Sequence, residues 1–319
     1  MAHKSLIIDF WDVGQGDCSV VHLPNDELLL IDLGPRCSPV IGWLQSNVLK
    51  RINAIILTHN DADHIGALNS IIESCHSRIH SVYFLEDRNK KDEIFVRLVR
   101  RLDLALQSKE IHSILRLEAP QTIWRDDELK CSLDVKFPSV IGNIKASSAN
   151  ETSSILVLSV NSQPAIVWPS DNKLRNIAAI CSGFNPFYMV GPHHGAPADR
   201  ADVMAQQWIN DIHPQNIIMS VGSLNKYDHP QKSYINKATK SGAHVYCTEL
   251  TTLCEHRNKL QDVLKSHAIL GLPQPLCGFT CRGTIRLTLN HGVLTSDQFL
   301  NDKHAESVKL LTRPRCINK

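Results

Sequence analysis

Short apolar runs alternate with helix-length amphipathic segments along the whole chain. The runs are rich in Val, Ile and Leu, which is typical of strands buried in a sheet. The predicted strands are Leu6–Phe10, Ser19–Leu23, Leu28–Leu33, Ala54–Thr58, Val82–Leu85, Cys131–Phe137, Ile155–Val160, Ala165–Trp168, Phe187–Val190, Asn216–Ser220, His244–Thr248 and Thr284–Leu289. The predicted helices are Val40–Lys50, Ile65–Cys75, Glu93–Ser108, Lys173–Cys181, Ala201–Asp211, Ser233–Lys240 and Asn258–Lys265. A meander followed by βα units predicts an α/β fold, with two sheets sandwiched between outer helices.

Composition narrows the class of protein. The chain has 319 residues, of which 43% are hydrophobic and 21% charged, as in ordinary globular proteins. Lys+Arg exceed Asp+Glu by only 34 − 32 = 2, so the net charge neither requires nor excludes a nucleic-acid partner. The apolar runs are much shorter than the roughly 20 residues that span a bilayer, so we expect no membrane insertion. Without an apolar stretch typical of a secretory signal near the start, we expect a cytoplasmic protein whose ten cysteines are thiols or metal ligands.

The same pattern suggests how the chain is divided. We expect a single domain over residues 1–290, with a Cys/His-containing insertion at about 247–281 and a C-terminal tail over 291–319. The polar stretch Gly142–Ser154 is the clearest break in composition, but predicted strands flank it closely. We therefore interpret it as a loop within the domain.

Four candidate metal ligands follow a predicted buried strand within six residues: His59, Asp61, Asp63 and His64. A sharp turn at the strand end would direct His59 and Asp61 toward one centre and Asp63 and His64 toward another. The alternative is that the acids cap the next helix and the histidines are exposed. Capping needs only one acid, so the alternating array favours a site for two metal ions.

Three further segments carry candidate site residues. Asp171 follows a predicted strand and precedes a predicted helix, where it could ligate a metal or cap the helix. His193 and His194 follow another strand and precede Gly195, which allows a close approach to a ligand. His229, in Tyr-Asp-His-Pro, could bind a metal, contact phosphate or act as an acid, or it could be an ordinary loop histidine.

The ordered motifs resemble those of the metallo-β-lactamase superfamily, in a form similar to the soluble hydrolase domain of ComEC-family DNA-uptake proteins. The motifs that carry the resemblance are Phe10-Trp11-Asp12-Val13-Gly14-Gln15-Gly16-Asp17, Leu30-Ile31-Asp32-Leu33-Gly34, Thr58-His59-Asn60-Asp61-Ala62-Asp63-His64, Gly191-Pro192-His193-His194-Gly195 and Asn225-Lys226-Tyr227-Asp228-His229-Pro230. It implies a metallo-β-lactamase-like αββα sandwich, with two mixed β-sheets and helices on the outer faces.

The resemblance also implies roles for individual residues. The expected metal ligands are His59, Asp61, Asp63, His64, Asp171 and His193, with Asp171 bridging two ions. Asp63, His194 and His229 are expected to act in catalysis, while Asp17 and Asp32 accept hydrogen bonds that orient the imidazoles. The chain departs from the superfamily in lacking a matching histidine between His64 and Asp171, and in placing Pro169 and Ser170 before that aspartate.

A second cluster of candidate ligands lies late in the chain. Cys254, His256, Cys277 and Cys281 could form a separate, tetrahedral structural zinc site. The alternative is that the cysteines are buried free thiols and His256 is exposed, because the spacing lacks a Cys-x-x-Cys pair.

Together these residues predict a metal-dependent hydrolase. Two divalent ions would activate water, and the aspartate at the second ligand position favours Mn²⁺, with Zn²⁺ or Mg²⁺ as alternatives. The resemblance implies a phosphodiesterase or nuclease that acts on DNA, single-stranded DNA above all and DNA more than RNA. We expect a stand-alone enzyme in defence against foreign DNA, working with a partner protein; the oligomeric state stays open. The alternatives are a small-molecule phosphodiesterase, lactonase or thioesterase, and a non-catalytic metal-binding module.

Overall fold

Fifteen strands form two facing mixed sheets in the computed structural model, which describes residues 5–75, 78–86, 93–139, 148–196, 205–223, 226–251, 253–254, 280–311, 313–314 and 316. The first sheet has the order β15-β14-β1-β2-β3-β4-β5-β6. Its strands are β1 (Leu6–Phe10), β2 (Cys18–His22), β3 (Leu28–Leu33), β4 (Ile52–Leu57), β5 (Ile79–Phe84), β6 (Ile111–Arg116), β14 (Ile285–Asn290) and β15 (Val293–Ser296). Strands β3 to β6 run parallel, and the meander β1-β2-β3 is antiparallel.

The second sheet has the order β13-β12-β11-β10-β9-β8-β7. Its strands are β7 (Gln121–Asp126), β8 (Cys131–Phe137), β9 (Ile155–Val160), β10 (Gln163–Trp168), β11 (Tyr188–Val190), β12 (Asn216–Met219) and β13 (His244–Cys247). Strands β10 to β13 pair in parallel, so their carboxyl ends meet at one edge of the sheet.

The described helices lie between these strands in the chain. They are α1 (Val40–Ser46), α2 (Ala62–Ile65), α3 (Leu68–Cys75), α4 (Glu93–Gln107), α5 (Ala149–Thr152), α6 (Leu174–Cys181), α7 (Ala205–Ile212), α8 (Lys232–Lys240) and α9 (Gln298–Leu310). Among these described elements, no helix combines the length and apolar character needed to cross a membrane.

Three apolar layers hold the sandwich together. The central layer packs the two sheets face to face, for example where Phe10 stacks on Trp168 at 5.8 Å between ring centroids. One outer layer joins α1, α3 and α4 to the first sheet, and the other joins α6, α7 and α8 to the second. Burial of apolar area on both faces of both sheets is the main stabilising contribution. The predicted α/β sandwich, with two mixed sheets and helices on the outer faces, is confirmed.

Every predicted strand is present, with ends that differ by a few residues. The sequence pattern missed β6, β7 and β15, which are edge strands of their sheets and have mixed burial patterns. A continuous apolar run indicates a buried central strand, and edge strands lack such a run. The predicted helix Asn258–Lys265 lies outside the described residues. Strand β15 and helix α9 lie within residues 291–319, which the sequence analysis assigned to a C-terminal tail. The division into domain, insertion and tail stays a prediction.

Candidate metal centre

The candidate site lies at the carboxyl ends of central strands from both sheets. His59 follows β4, Asp171 follows β10, and the His193–His194 pair follows β11. Asp32 is near the end of β3. Since ligands in α/β folds commonly bind beyond the carboxyl ends of parallel strands, the topology gathers these side chains into one cleft.

The acids of the first motif are not used as helix caps. Asp61 is the N-cap residue of α2, yet its side chain makes no capping hydrogen bond, and its Oδ2 instead lies 2.9 Å from His59 Nε2. Asp171, in contrast, does not occupy a cap position, because the N-cap residue of α6 is Lys173. The capping alternative therefore does not account for either carboxylate.

The glycine-rich turn after β1 packs against the backbone of α2. Asp17 N donates to Asp63 O at 3.2 Å, and Gly34 N donates to Asp17 O at 2.8 Å. A Cβ on Gly16, whose φ is +140°, would lie 2.3 Å from Asp63 O, so this close approach requires glycine. The turn thereby positions the Asp17 carboxylate beside His194, with Oδ1 3.6 Å from Nδ1.

A fully buried histidine links two of the candidate carboxylates. His64 Nδ1 lies 2.9 Å from Asp32 Oδ2, and His64 Nε2 lies 3.1 Å from Asp171 Oδ1. Asp32 also accepts from the backbone N of Thr58 at 2.8 Å and from its hydroxyl at 2.5 Å. Asp32 therefore lies where it can orient the His64 ring, the supporting role that the resemblance implies and that stays a prediction.

His193 and His194 are adjacent on a strained loop, and their side chains differ in burial. His193 and His194 both have positive φ, +48° and +54°, which is costly for non-glycine residues and is typical of functional sites. The His194 side chain is 1% exposed and its Nε2 lies 3.3 Å from Asp63 Oδ2. The His193 side chain is 42% exposed and its Nε2 lies 3.5 Å from Asp171 Oδ2.

The candidate ligand atoms fall into two groups that share Asp171. We call Asp17, His64, Asp171 and His194 the inner group, and His59, Asp61 and Asp171 the outer group; within each, one ligand atom per residue lies within 4.8 Å of the others. All four residues of the inner group are buried, while Asp61 of the outer group is partly exposed. The sequence assigned Asp17 to support, His193 to metal binding and His194 to catalysis, whereas the structure brings Asp17 and His194 into the inner group.

These residues fit divalent ions. Within the described structure, Asp17 Oδ1, His59 Nε2 and both ring nitrogens of His194 are buried and make no hydrogen bond, although they lie close to other donors and acceptors. Buried polar atoms without hydrogen bonds are costly, and ligation would satisfy them. Imidazole nitrogens and carboxylate oxygens are suitable ligands for Mn²⁺, Zn²⁺ and, through the oxygens, Mg²⁺.

Mutual contact shifts the ionisation of the metal-free site. Burial would raise the pKa of Asp171, but His64 and other imidazoles hold it well below its usual range. Burial would lower the pKa of His194, but Asp17 and Asp63 raise it to about 9. Burial and the neighbouring imidazoles lower the pKa of His193. These shifts favour a protonated His194 and an ionised Asp171 at neutral pH when no ion is bound.

His229 lies beside the two adjacent histidines. Its ring centroid is 5.8 Å from that of His193 and 6.4 Å from that of His194. Burial and these two imidazoles lower its pKa to about 4, so its ring is neutral at neutral pH. His229 thus joins the cleft, but it belongs to neither group of candidate ligands.

Two hydroxyl groups that sequence reasoning missed lie under the centre. Thr58 Oγ1 donates to Asp32 and is 2.8 Å from Ser170 Oγ, and Ser170 O accepts from His193 N at 3.0 Å. The two residues thus connect the first sheet to the second beneath the ligands. Their positions next to His59 and Asp171 were the signal that could have identified them.

The predicted zinc site is only partly within the described residues. His256 and Cys277 of the predicted zinc site lie outside the described residues; Cys254 and Cys281 are buried, and Cys281 Sγ is 3.4 Å from His304 Nε2. The zinc site stays a prediction.

Residues 11–142 match the family model of the metallo-β-lactamase superfamily. The chain is 22% identical over 278 residues to ComE operon protein 3 of Bacillus subtilis (strain 168), a match that covers 79% of the chain and 33% of that protein. The chain thus spans about a third of that relative's length.

Among solved structures, Igni18, a metallo hydrolase from the archaeon Ignicoccus hospitalis, has a TM-score of 0.50 at 13% identity over 76% of this chain and 94% of its own. A long form RNase Z from yeast has a TM-score of 0.41 at 12% identity over 72% of this chain and 39% of its own. The first of these likenesses supports the fold.

Proposed function

Because residues 11–142 match the metallo-β-lactamase superfamily and the chain is similar to ComE operon protein 3, we propose that it is a metal-dependent phosphodiesterase that cleaves single-stranded DNA. The observation that carries the proposal is the convergence of two ligand groups on one shared carboxylate, Asp171. Paired divalent ions are a recurring arrangement for phosphodiester hydrolysis.

In this proposal the inner group and the outer group each hold one ion, which when bound would supply an activated water and neutralise the charge of a phosphoryl group. Asp32 fixes the ring of His64 through its 2.9 Å contact, so that the remaining ring nitrogen faces Asp171. Asp63 contacts His194 at 3.3 Å and holds its ring in place. These contacts keep the ligands in a fixed geometry before substrate arrives.

The half-exposed His193 and the neutral His229 form the substrate side of the cleft in this proposal. Their rings lie 5.8 Å apart, next to the shared carboxylate. A neutral imidazole can donate a hydrogen bond to a non-bridging phosphate oxygen without being charged. We assign this contact to His229 and His193, which modifies the sequence-based division of roles.

Two basic residues, Lys173 and Arg175, follow Asp171 closely in the chain and are compatible with a polyanionic substrate. Lys173, two residues after Asp171, lies 2.9 Å from Glu151, and Arg175 also contacts that carboxylate. The Lys173 and Arg175 side chains are 27% and 48% exposed, so part of their charge faces solvent. Such cations contribute sequence-independent affinity for phosphates. The choice of DNA as substrate rests on the resemblance to DNA-uptake proteins.

A cleavage assay tests the proposal. Purified protein is incubated with labelled single-stranded DNA, duplex DNA or RNA, with Mn²⁺, Mg²⁺ or Zn²⁺, beside the variants His64→Ala and Asp63→Ala. The control variant is His80→Ala, since His80 is an exposed histidine on β5. Its ring packs on that of His112. We expect the wild type and the control to cleave single-stranded DNA and both site variants to be folded but inactive. Intact polymers in the presence of bound metal would contradict the proposal and favour a small-molecule substrate.

A further inference from the structure

An exposed tyrosine lies at the rim of the candidate metal centre. Tyr227 is 53% exposed, although most large aromatic residues in the described structure are buried or half-buried. Its ring is nearly parallel to that of His229, with an interplanar angle of 28° and 5.6 Å between centroids. The solvent-exposed ring therefore extends outward from the substrate side of the cleft.

The loop that carries Tyr227 is fixed to the rest of the site. The side chain of Gln231 donates to Asp228 O at 3.1 Å and contacts Asp228 Oδ2 at 3.2 Å. Gln231 N donates to Gly195 O at 2.8 Å, and a Cβ on Gly195 would lie 2.7 Å from Pro230 Cβ. The tyrosine ring is thus presented by a backbone that is tied to the His193–Gly195 loop, and little further ordering is needed when a planar ligand binds.

A cation accompanies the ring. Lys226 Nζ lies 5.1 Å from the Tyr227 ring centroid, and Lys226 is itself exposed. Proteins that bind single-stranded nucleic acid combine aromatic rings, on which bases stack, with cations that follow the backbone. The lysine side chain is flexible, so an incoming base can displace it from the ring while its ammonium group pairs with a phosphate of the same strand.

We propose that Tyr227 and Lys226 form a nucleotide-binding subsite, in which a base next to the cleaved phosphate stacks on Tyr227 and its phosphate pairs with Lys226. The inference rests on the proposed function, because it places the subsite beside the residues assigned to the cleaved phosphate. It adds a reason for a single-stranded substrate, since only an unpaired base can leave its stack to lie on the tyrosine ring.

The test compares strands with and without bases. Fluorescence anisotropy measures binding of the full chain to a labelled, cleavage-resistant phosphorothioate oligothymidylate and to a strand of equal length with base-free sites. We expect Tyr227→Ala to weaken binding of the base-bearing strand roughly 5- to 100-fold and to leave the base-free strand unchanged. Tyr227→Phe and Tyr227→Trp keep an aromatic ring and should restore binding, and Lys226→Ala should weaken both strands equally.

A matched control is available in the same chain. Phe299 on α9 is 56% exposed and has Lys303 Nζ 4.5 Å from its ring centroid, but it does not belong to the loops of the centre. Phe299→Ala should leave both affinities unchanged. Equal loss on both strands for Tyr227→Ala, or no loss on either, would overturn the subsite while leaving the nuclease proposal intact. A wild type that binds neither strand would overturn both proposals.

Discussion

The inner and outer groups share Asp171 but differ in burial and in support. The inner group is buried throughout, and Asp32 holds its His64 in place. In the outer group the Asp61 side chain is 40% exposed. Buried ligands with fixed orientations lose little freedom when an ion binds, whereas an exposed carboxylate must be ordered and is screened by solvent. On the proposed function, we therefore expect the inner group to bind its ion more tightly than the outer group, and substrate to complete the coordination at the outer group.

The largest effect is expected where the two groups meet. Asp171→Ala removes the shared carboxylate, so both ions should be lost and hydrolysis should fall by roughly 10³-fold or more. Metal content by mass spectrometry and the rate of cleavage check this together. The control Asp103→Asn alters an exposed acid on α4 and should change neither quantity. A variant that keeps one tightly bound ion would show that the groups do not depend on a common ligand.

Proton competition should make metal binding at the inner group depend on pH. Burial opposes protonation of His64 and His194, but nearby carboxylates raise both pKa values, that of His194 to about 9. An ion must displace these protons, so the affinity of the inner group should rise at least about tenfold per pH unit below pH 9. Burial and the neighbouring imidazoles lower the pKa of His193, so this ring carries no proton at neutral pH that an incoming ion would have to displace. Calorimetric titration of the metal-free chain with Mn²⁺ between pH 6 and 9 measures this, and a pH-independent first affinity would contradict it.

Removing the carboxylate that orients His64 should reduce metal affinity and activity less than Asp171→Ala does. Asp32→Ala deletes the acceptor of His64 Nδ1 and of the Thr58 hydroxyl without removing an expected ligand. We expect the first Mn²⁺ affinity to fall roughly 10- to 100-fold, with activity recovered at high Mn²⁺ concentration. Failure of added metal to restore activity, in a variant that is folded by circular dichroism, would place Asp32 in the reaction itself.

The smallest effect is expected at the exposed member of the outer group. Asp61→Ala should keep the first ion and raise the Mn²⁺ concentration for half-maximal activity on the order of 5-fold, because a 40% exposed charge is well screened. Metal titration of the cleavage rate gives this value. A loss of activity as large as that caused by Asp171→Ala would mean that the outer group contributes as much to hydrolysis as the inner group.

The sequence predicted which segments of the chain contribute to the site better than it predicted how deeply each side chain is buried. His59, Asp61 and His64 were identifiable as candidate ligands because they are close together in the sequence and follow a buried run, whereas Asp63, also expected to be a ligand, contacts His194 and lies in neither group. Asp171 alone could equally have been a helix cap, and only the resemblance favoured a ligand. Whether His193 or His194 points inward depends on two positive-φ residues, which no sequence period reveals. Thr58 and Ser170 meet across two sheets, 112 residues apart, so only the fold shows their contact.

The most direct test of the account is anomalous diffraction at the manganese edge from crystals equilibrated with increasing Mn²⁺. The account predicts a first peak surrounded by Asp17, His64, Asp171 and His194 at low concentration. A second peak, between His59, Asp61 and Asp171, should appear only at higher concentration or with a bound nucleotide. A first peak at the outer group, or none at either group at saturating Mn²⁺, would contradict it.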